Sequence, residues 1–137
     1  MTRGAPDWQP WTAFQRFEKT GGAALYEKTI TVPEGTIEAN AVSEDFTLEK
    51  GFIIHITLRF PPGSLGGLHI AIYDQATRLF PPIAGTWFTG NDESVDFYTE
   101  YDVPLVGSDY KLVLKGWNED SVYEHAVIVR MFLVRIP

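Results

Sequence analysis

The 137-residue sequence contains no cysteine. Disulfide bonds, thiolate chemistry and cysteine-ligated zinc or iron–sulfur centres are therefore excluded. The first residues lack the apolar run of a signal peptide. No window approaches the ~18 consecutive apolar residues of a membrane-spanning helix. We therefore expect a protein that is made and kept in a cytoplasm.

Basic residues are fewer than acidic ones. Lys and Arg number 11 against 18 Asp and Glu, which gives a formal net charge of −7. Nucleic acids and anionic membranes both attract clusters of Lys and Arg, and the sequence contains no such cluster. We therefore expect neither a nucleic acid nor a membrane as a partner, and the acidic surplus indicates solubility.

Apolar and polar residues alternate with a period of two over most of the chain from Gly51 onward. The alternation in residues 51–60 places one set of apolar side chains on a single face: Phe52, Ile54, Ile56, Leu58 and Phe60. Leu68, Ile70 and Ile72 alternate in the same way after a Pro-Pro-Gly loop. Such alternation is typical of half-buried β-strands.

Further strands are predicted at residues 24–32, 78–80, 94–103 and 110–117, with two short ones between 37 and 48. The last run, 122–136, is apolar on both faces, which predicts a central strand covered on each side. Seven to nine strands separated by turn signals at intervals of roughly ten residues indicate an antiparallel two-sheet β-sandwich. The fold class is therefore all-β, jelly-roll-like or alternatively immunoglobulin-like.

The first 22 residues do not share this alternation. Four large aromatic residues recur at every third position, between Pro6 and the Gly21-Gly22 pair: Trp8, Trp11, Phe14 and Phe17. We interpret residues 1–22 as an N-terminal arm and residues 23–137 as the sandwich domain. Because each aromatic ring can bury ~150–250 Å², the arm either caps its own sandwich or docks on a neighbouring subunit.

No motif for catalysis or cofactor binding is present. The histidines, His55, His69 and His125, all lie on predicted strands, and no Gly-x-Ser-x-Gly nucleophile turn accompanies them. The oxygen-rich segments 91–93 and 118–120 lack the spacing of a calcium loop and are explained by turn chemistry. We expect no catalytic residue, no metal and no cofactor, and hence no enzyme.

Carbohydrate binding without catalysis remains an alternative. Sandwich modules bind glycans with exposed aromatic rings beside polar groups. The candidate rings are Trp87, Trp117 and Tyr123. The alternative function is therefore a carbohydrate- or receptor-binding module.

Residues 28–136 resemble small β-sandwich proteins encoded among the virion structural genes of tailed phages and related viruses. The resemblance rests on the order of strands, loops and Trp-containing turns in the following segments: Thr31-Val32-Pro33-Glu34-Gly35-Thr36, Ile56-Thr57-Leu58-Arg59-Phe60-Pro61-Pro62-Gly63, Leu79-Phe80-Pro81, Gly85-Thr86-Trp87 and Gly116-Trp117-Asn118-Glu119-Asp120. Such proteins are capsid decoration, turret or tail components, so the resemblance implies oligomers on a particle and no enzymology.

The residues and the resemblance together predict a non-enzymatic virion structural protein, assembled in the host cytoplasm. We expect it to self-associate, with a trimer as the natural arrangement, and to dock on a larger coat or tail protein. Trp8, Trp11, Phe14 and Phe17 are the predicted anchors of the arm.

Overall fold

The computed structural model of the chain describes residues 22–135, nearly all of them in β-strands or the loops between strands. Nine strands follow one another, and one turn of 3-10 helix, η1 (Glu38–Asn40), precedes the second. The strands are β1 (Ala23–Val32), β2 (Val42–Thr47), β3 (Gly51–Phe60), β4 (Leu68–Asp74), β5 (Thr77–Phe80), β6 (Glu93–Asp102), β7 (Leu105–Val106), β8 (Asp109–Asn118) and β9 (His125–Arg135). Among these residues no helix is long and apolar enough to span a membrane.

Eight of the strands form two antiparallel sheets. The first has the order β1-β9-β3-β6 and the second the order β2-β8-β4-β5, while the short β7 pairs with the start of β8. In an immunoglobulin-like sandwich the first two strands share a sheet, whereas here β1 and β2 lie in different sheets. The order is that of an eight-stranded jelly roll. The prediction of an all-β sandwich is confirmed, and of its two alternatives the jelly roll is the one observed.

The core lies between the inner faces of the two sheets and follows the predicted alternation. The central strands supply side chains with no exposed surface: Ile56, Leu58, Ile70, Ile72, Leu112, Leu114, Val127, Val129 and Met131. Full burial of an aliphatic side chain contributes roughly 1.5–3 kcal/mol. Because strands of both sheets contribute side chains to this layer, it stabilises the packing of one sheet against the other.

Strand β3 contains a β-bulge that the sequence pattern does not reveal. Its register with both neighbouring strands shifts between Ile53 and His55. An extra residue in one strand moves the inward face by one position. Ile53 and Ile56 are therefore fully buried, whereas Phe52 and Ile54 are only half-buried. The prediction that Phe52 and Ile54 point into the core is wrong for this reason.

The segment between residues 37 and 48 also differs from the prediction. It forms the turn η1, closed by hydrogen bonds from Asn40 N to the Ile37 carbonyl and from Ala41 N to the Glu38 carbonyl, and then the single strand β2. Strand β2 pairs with β8 and buries Phe46. One strand therefore replaces the two expected, and the helical turn holds Glu38 at the rim of the second sheet.

Strand β9 is central, as predicted, because it pairs with β1 on one side and β3 on the other. Its inner face is fully buried. On its outer face Ala126, Ile128 and Arg130 are only half-buried. The expectation that this strand is covered on both faces is thus correct for one face and only partly correct for the other.

A side-chain hydrogen bond joins the two sheets beside the core. Tyr101 of β6 donates its hydroxyl hydrogen to Asp74 at the end of β4, at 2.7 Å. Burial and then this hydrogen bond raise the pKa of Tyr101 above its usual range. The Tyr101 ring also packs edge-on against Phe80 of β5. These contacts fix the outer strand β6 of the first sheet against the edge of the second.

Gly51, the first residue of β3, allows a close approach that a larger side chain would prevent. A Cβ atom there would collide with the carbonyl oxygen of Val134 and lie 2.7 Å from Cδ2 of Leu133. We expect Gly51→Ala to lower the free energy of unfolding by about 1–3 kcal/mol, because the opposing backbone must move. Urea denaturation monitored by tryptophan fluorescence measures this loss.

The control for this variant is Ser94→Ala on the exposed side of β6. Its free energy of unfolding should lie within about 0.5 kcal/mol of the wild type. Equal stability of Gly51→Ala and the wild type would contradict the close approach of β3 to β9.

Candidate functional site

A cleft lies on the outer face of the second sheet and is lined by described residues. Its volume is about 350 Å³. The floor is made by side chains of β4, β5 and β8, and the walls are made by η1 and the loop after β5. The lining residues are Glu38, Ala39, Ala41, Tyr73, Arg78, Ala84, Gly85, Trp87 and Lys115.

Backbone pairing brings the floor together. Tyr73 of β4 lies opposite Arg78 of β5, and Lys115 of β8 lies opposite Ala71, two residues before Tyr73. Residues two apart on a strand point to the same face, so the three long side chains all project outward. The alternation in the sequence places each of them on an outer face, but only the pairing of β4 with β5 and β8 makes them neighbours.

The loop after β5 positions Trp87 over this floor. Phe88 and Ile70 of β4 exchange two backbone hydrogen bonds, of 2.8 and 3.0 Å. These bonds hold Phe88 beside β4, on the edge of β4 that also pairs with β5. Phe88 consequently packs against the core, and its neighbour Trp87 faces outward. The indole N–H of Trp87 donates to Oε2 of Glu38 at 2.8 Å, which closes the cleft on the η1 side.

The two cations of the cleft are held by aromatic rings. The guanidinium carbon of Arg78 lies 4.8 Å from the ring centroid of Trp87 and 5.4 Å from that of Tyr73. Nζ of Lys115 lies 4.4 Å from the same Tyr73 ring. Arg78 Nη1 also donates to the carbonyl oxygens of Pro81 and Thr86. Cation–π contacts of this kind contribute about 0.5–1 kcal/mol each when exposed to solvent.

The structure brings together two of the three residues predicted to bind a glycan. Trp87 and Trp117 contact each other edge to face, with ring centroids 6.1 Å apart. Trp117 stands behind Trp87 and stacks on His69 at 3.7 Å. Its indole N–H is buried without an acceptor among the described residues. Trp117 thus supports the cleft wall, while Trp87 lines the cleft.

Tyr123 lies apart from this cleft, in the turn between β8 and β9. Its side chain is 68% exposed. Asn118, which is buried, donates to the carbonyls of Val32 and Tyr123 and accepts from the backbone N–H of Asp120. The interpretation of residues 118–120 as turn chemistry is confirmed, and Tyr123 does not share a site with Trp87.

Asp120 holds this turn through three contacts. Its Oδ1 accepts hydrogen bonds from the backbone N–H groups of Val122 and Tyr123, and its Oδ2 lies 2.9 Å from Nε2 of His125. The Val122 hydrogen bond, the His125 contact and the Tyr123 hydrogen bond lower the pKa of Asp120 below its usual value. The charged form of Asp120 is therefore the form that stabilises the fold.

Asp120→Asn should destabilise the protein at neutral pH, because the amide replaces the carboxylate oxygen that faces His125. A lowered pKa contributes stability above the unfolded value of about 3.9 and loses it as the pH falls through the folded value. The stability difference between wild type and variant should therefore shrink below about pH 4. Urea denaturation between pH 7 and pH 2 measures it.

Glu124→Gln, a neighbouring exposed residue with no hydrogen-bond partner among the described residues, is the control and should match the wild type throughout. A constant difference for Asp120→Asn across the whole pH range would contradict a role for the carboxylate charge.

The three histidines do not form a common metal site. His55 lies on the outer face of the first sheet, 3.2 Å from Asp96, and stacks on Tyr98. His69 lies on the outer face of the second sheet, so the core separates the two rings. The part of the chain that the structure describes contains no group of three His, Cys, Asp or Glu side chains placed to hold an ion.

Sequence reasoning missed most of the cleft. Of the lining residues the sequence pattern predicted Trp87, but not Glu38, Tyr73, Arg78 or Lys115. The predicted arm anchors, Trp8, Trp11, Phe14 and Phe17, and the boundary of the arm lie outside the described residues.

No protein-family model and no curated protein sequence matches this chain. Among solved structures, the chain is similar to a chain of the cyanophage Pam1 capsid asymmetric unit, with 15% identity and a TM-score of 0.54 over 98% of this chain and 94% of that chain. The periplasmic g-type lysozyme inhibitor PliG of Aeromonas hydrophila has 8% identity and a TM-score of 0.40 over 81% and 85%. The BFDV capsid protein, a 60-mer, has 9% identity and a TM-score of 0.29 over 83% and 93%. At these identities the similarity concerns the fold alone.

Proposed function

We propose that the protein is a non-enzymatic structural component of a virion, a capsid decoration or cementing subunit. It self-associates, as a trimer, and docks on a larger coat protein. The observation that carries the proposal is the jelly-roll fold, which matches a chain of the cyanophage Pam1 capsid over nearly the whole length of both chains. Jelly rolls are a recurrent architecture of viral capsid domains.

One end of the sandwich supplies a surface that suits such docking. Of the eight exposed large apolar side chains among the described residues, five lie on the four loops at that end: Ile37, Leu65, Ile83, Val122 and Tyr123. These loops connect β1 to β2, β3 to β4, β5 to β6 and β8 to β9. We call this surface the loop end. Exposed apolar groups gathered on one surface are typical of protein–protein contacts.

The loops of this end are hydrogen-bonded to one another. The backbone of residues 35–36 bonds to that of 118 and 120, and Glu119 N donates to the Gly67 carbonyl at 2.8 Å. Asn91 accepts from the backbone of Gly63 and Leu65, and Ser64 donates to the Gly90 carbonyl. A loop surface held in one arrangement loses little conformational entropy on binding, which supports the loop end as the docking surface.

A mainly acidic surface lies along β6, an outer strand of the first sheet, where Tyr98 is the one exposed large apolar side chain. Asp96, Glu100 and Asp102 project outward from it and are exposed. Charged side chains on an edge strand discourage pairing with another sheet. We therefore place self-association at the arm and assign no contact to this edge.

Removal of residues 2–21 should leave a folded sandwich that no longer self-associates, because the four arm aromatics are the proposed anchors. Gly22 stays, since its carbonyl accepts a hydrogen bond from Arg135 N. Native mass spectrometry measures the oligomer, and circular dichroism checks the fold. The full-length variant with Trp8, Trp11, Phe14 and Phe17 all changed to serine should behave in the same way. A truncated protein that keeps the wild-type oligomeric mass would overturn the role of the arm.

Docking is tested by co-sedimentation with virus particles from which the protein has been stripped. Ile37→Asp at the loop end should weaken rebinding at least about tenfold, because a charge in an apolar contact is costly. Leu65→Asp should do the same, and its φ of 52° suits Asp better than Leu. Leu105→Asp is the matched control, since Leu105 is as exposed as Ile37, at 58%, but lies at the other end of the sandwich.

Equal rebinding of the Ile37 and Leu105 variants would contradict docking through the loop end. Absence of the protein from purified particles would overturn the virion assignment itself.

A further inference from the structure

Two cations in an acidic chain line the cleft without a carboxylate partner. The described residues include eight Lys and Arg side chains. Five of them pair with Asp or Glu: Lys28, Arg59, Lys111, Arg130 and Arg135. Within this part of the chain, Lys50, Arg78 and Lys115 have no such pair. Although acidic residues outnumber basic ones, two of these three cations face one cleft.

Aromatic rings, and not carboxylates, hold these two cations in place. Arg78 lies over Trp87 and Tyr73, and Lys115 lies over Tyr73. A cation–π contact orients a cation without cancelling its charge. The positive charge in the cleft therefore stays available to a ligand, and the side chains that carry it are already ordered.

Arg78 has donors left for a ligand. Only its Nη1 makes hydrogen bonds within the described residues, to the carbonyls of Pro81 and Thr86. A guanidinium carries five N–H donors, so Nε and Nη2 remain for an anion. Their parallel N–H groups match the two oxygens of a carboxylate, phosphate or sulfate.

The rest of the lining suits a polyhydroxylated ligand. Glu38 uses one carboxylate oxygen for Trp87, which leaves the other to accept a hydrogen bond from a hydroxyl group. Tyr73 adds a phenol hydroxyl, and Trp87 and Tyr73 add apolar surface. A volume of about 350 Å³ is at the small end of the range for small-molecule sites. The net charge of −7 opposes a long polyanion such as a nucleic acid.

We propose that this cleft binds a saccharide with a carboxylate or sulfate group, with Arg78 and Lys115 contacting the anionic group and Glu38 accepting from a sugar hydroxyl. The side chains that carry the charge of the cleft, Arg78 and Lys115, lie on β5 and β8, whereas the cleft walls belong to two loops of the loop end. Sugar binding by the isolated protein needs no coat protein, so its test does not depend on the virion role. Compared with the glycan site expected from the sequence, it keeps Trp87 in the cleft, uses Trp117 as support and omits Tyr123.

The test is a titration of the full-length protein, followed by two-dimensional NMR of its backbone amides. The probes are sialyllactose for a carboxylate, N-acetylglucosamine 6-sulfate for a sulfate, and lactose and N-acetylglucosamine as their neutral parents. At least one anionic sugar should bind at least about tenfold more tightly than its parent, a difference of about 1.4 kcal/mol. The shifted amides should be those of η1, β5 and residues 84–87. The anionic sugar that binds shows whether the cleft recognises a carboxylate or a sulfate.

Three variants assign the binding to the cleft. Arg78→Gln and Lys115→Gln should each weaken binding of the anionic sugar by about tenfold or more, because each removes a charged contact. Lys115 makes no hydrogen bond within the described residues, so its variant keeps the test valid if Arg78→Gln unfolds. Lys50→Gln, which removes the third unpaired cation outside the cleft, is the matched control and should bind as the wild type does.

Several results would overturn the proposal. The first is that neither anionic sugar binds at about 10 mM. The second is that the neutral parents bind as tightly as the anionic sugars. The third is that Lys50→Gln weakens binding as much as the two cleft variants do. Equally tight binding of inorganic sulfate alone would show that the cleft does not recognise a sugar. Tighter binding of a Glu- and Asp-rich hexapeptide would assign the cleft to an acidic peptide instead.

Discussion

The apolar layer between the two sheets is the constraint on which the rest of this structure depends. Strands β3 and β9 in one sheet and β4 and β8 in the other contribute alternating residues to it, with one interruption at the bulge in β3, and the apolar side chains of this layer are fully buried. Because neighbouring residues of a strand point to opposite faces, the burial of one set commits the other set to the outside. The outer faces of the two sheets follow from this division.

The outer faces acquire their chemistry from the strand order. On the second sheet, β4 lies between β5 and β8, so Tyr73, Arg78 and Lys115 meet although Arg78 and Lys115 are far apart in the chain. On the first sheet, β6 is an edge strand and its outward residues are mainly acidic. Aromatic rings hold the cations on one face, and carboxylates pair with most of the cations elsewhere. Of the three cations without a carboxylate partner among the described residues, two thus share this face.

The four loops at one end of the sandwich form a further surface, and two of them also wall the cleft on the second sheet. Their backbones bond to one another, and their tips carry exposed apolar side chains. In this jelly roll each of these four loops carries the chain from one sheet to the other at the same end of the sandwich. The topology therefore produces an ordered apolar surface from segments that are far apart in sequence, and this is the surface through which we propose that the protein docks.

The amino-acid sequence by itself determined the fold class and most of the strands. Apolar residues at every second position indicate a β-strand with one buried face, because neighbouring side chains of a strand point to opposite faces. It also identified the turn at Asn118 and Asp120, since Asn and Asp bond to nearby backbone groups in any tertiary setting. It did not reveal the β-bulge at Ile53 and His55, because an extra residue is visible only against a partner strand. Nor could it place Arg78 beside Lys115 and Trp87, because such neighbours arise from hydrogen bonding between strands that are distant in the chain. Apart from the bulge, local patterns decided which face a strand residue takes, because alternation is a property of the single strand. The tertiary structure alone decided which side chains become neighbours on that face, because pairing joins strands that are distant in the chain.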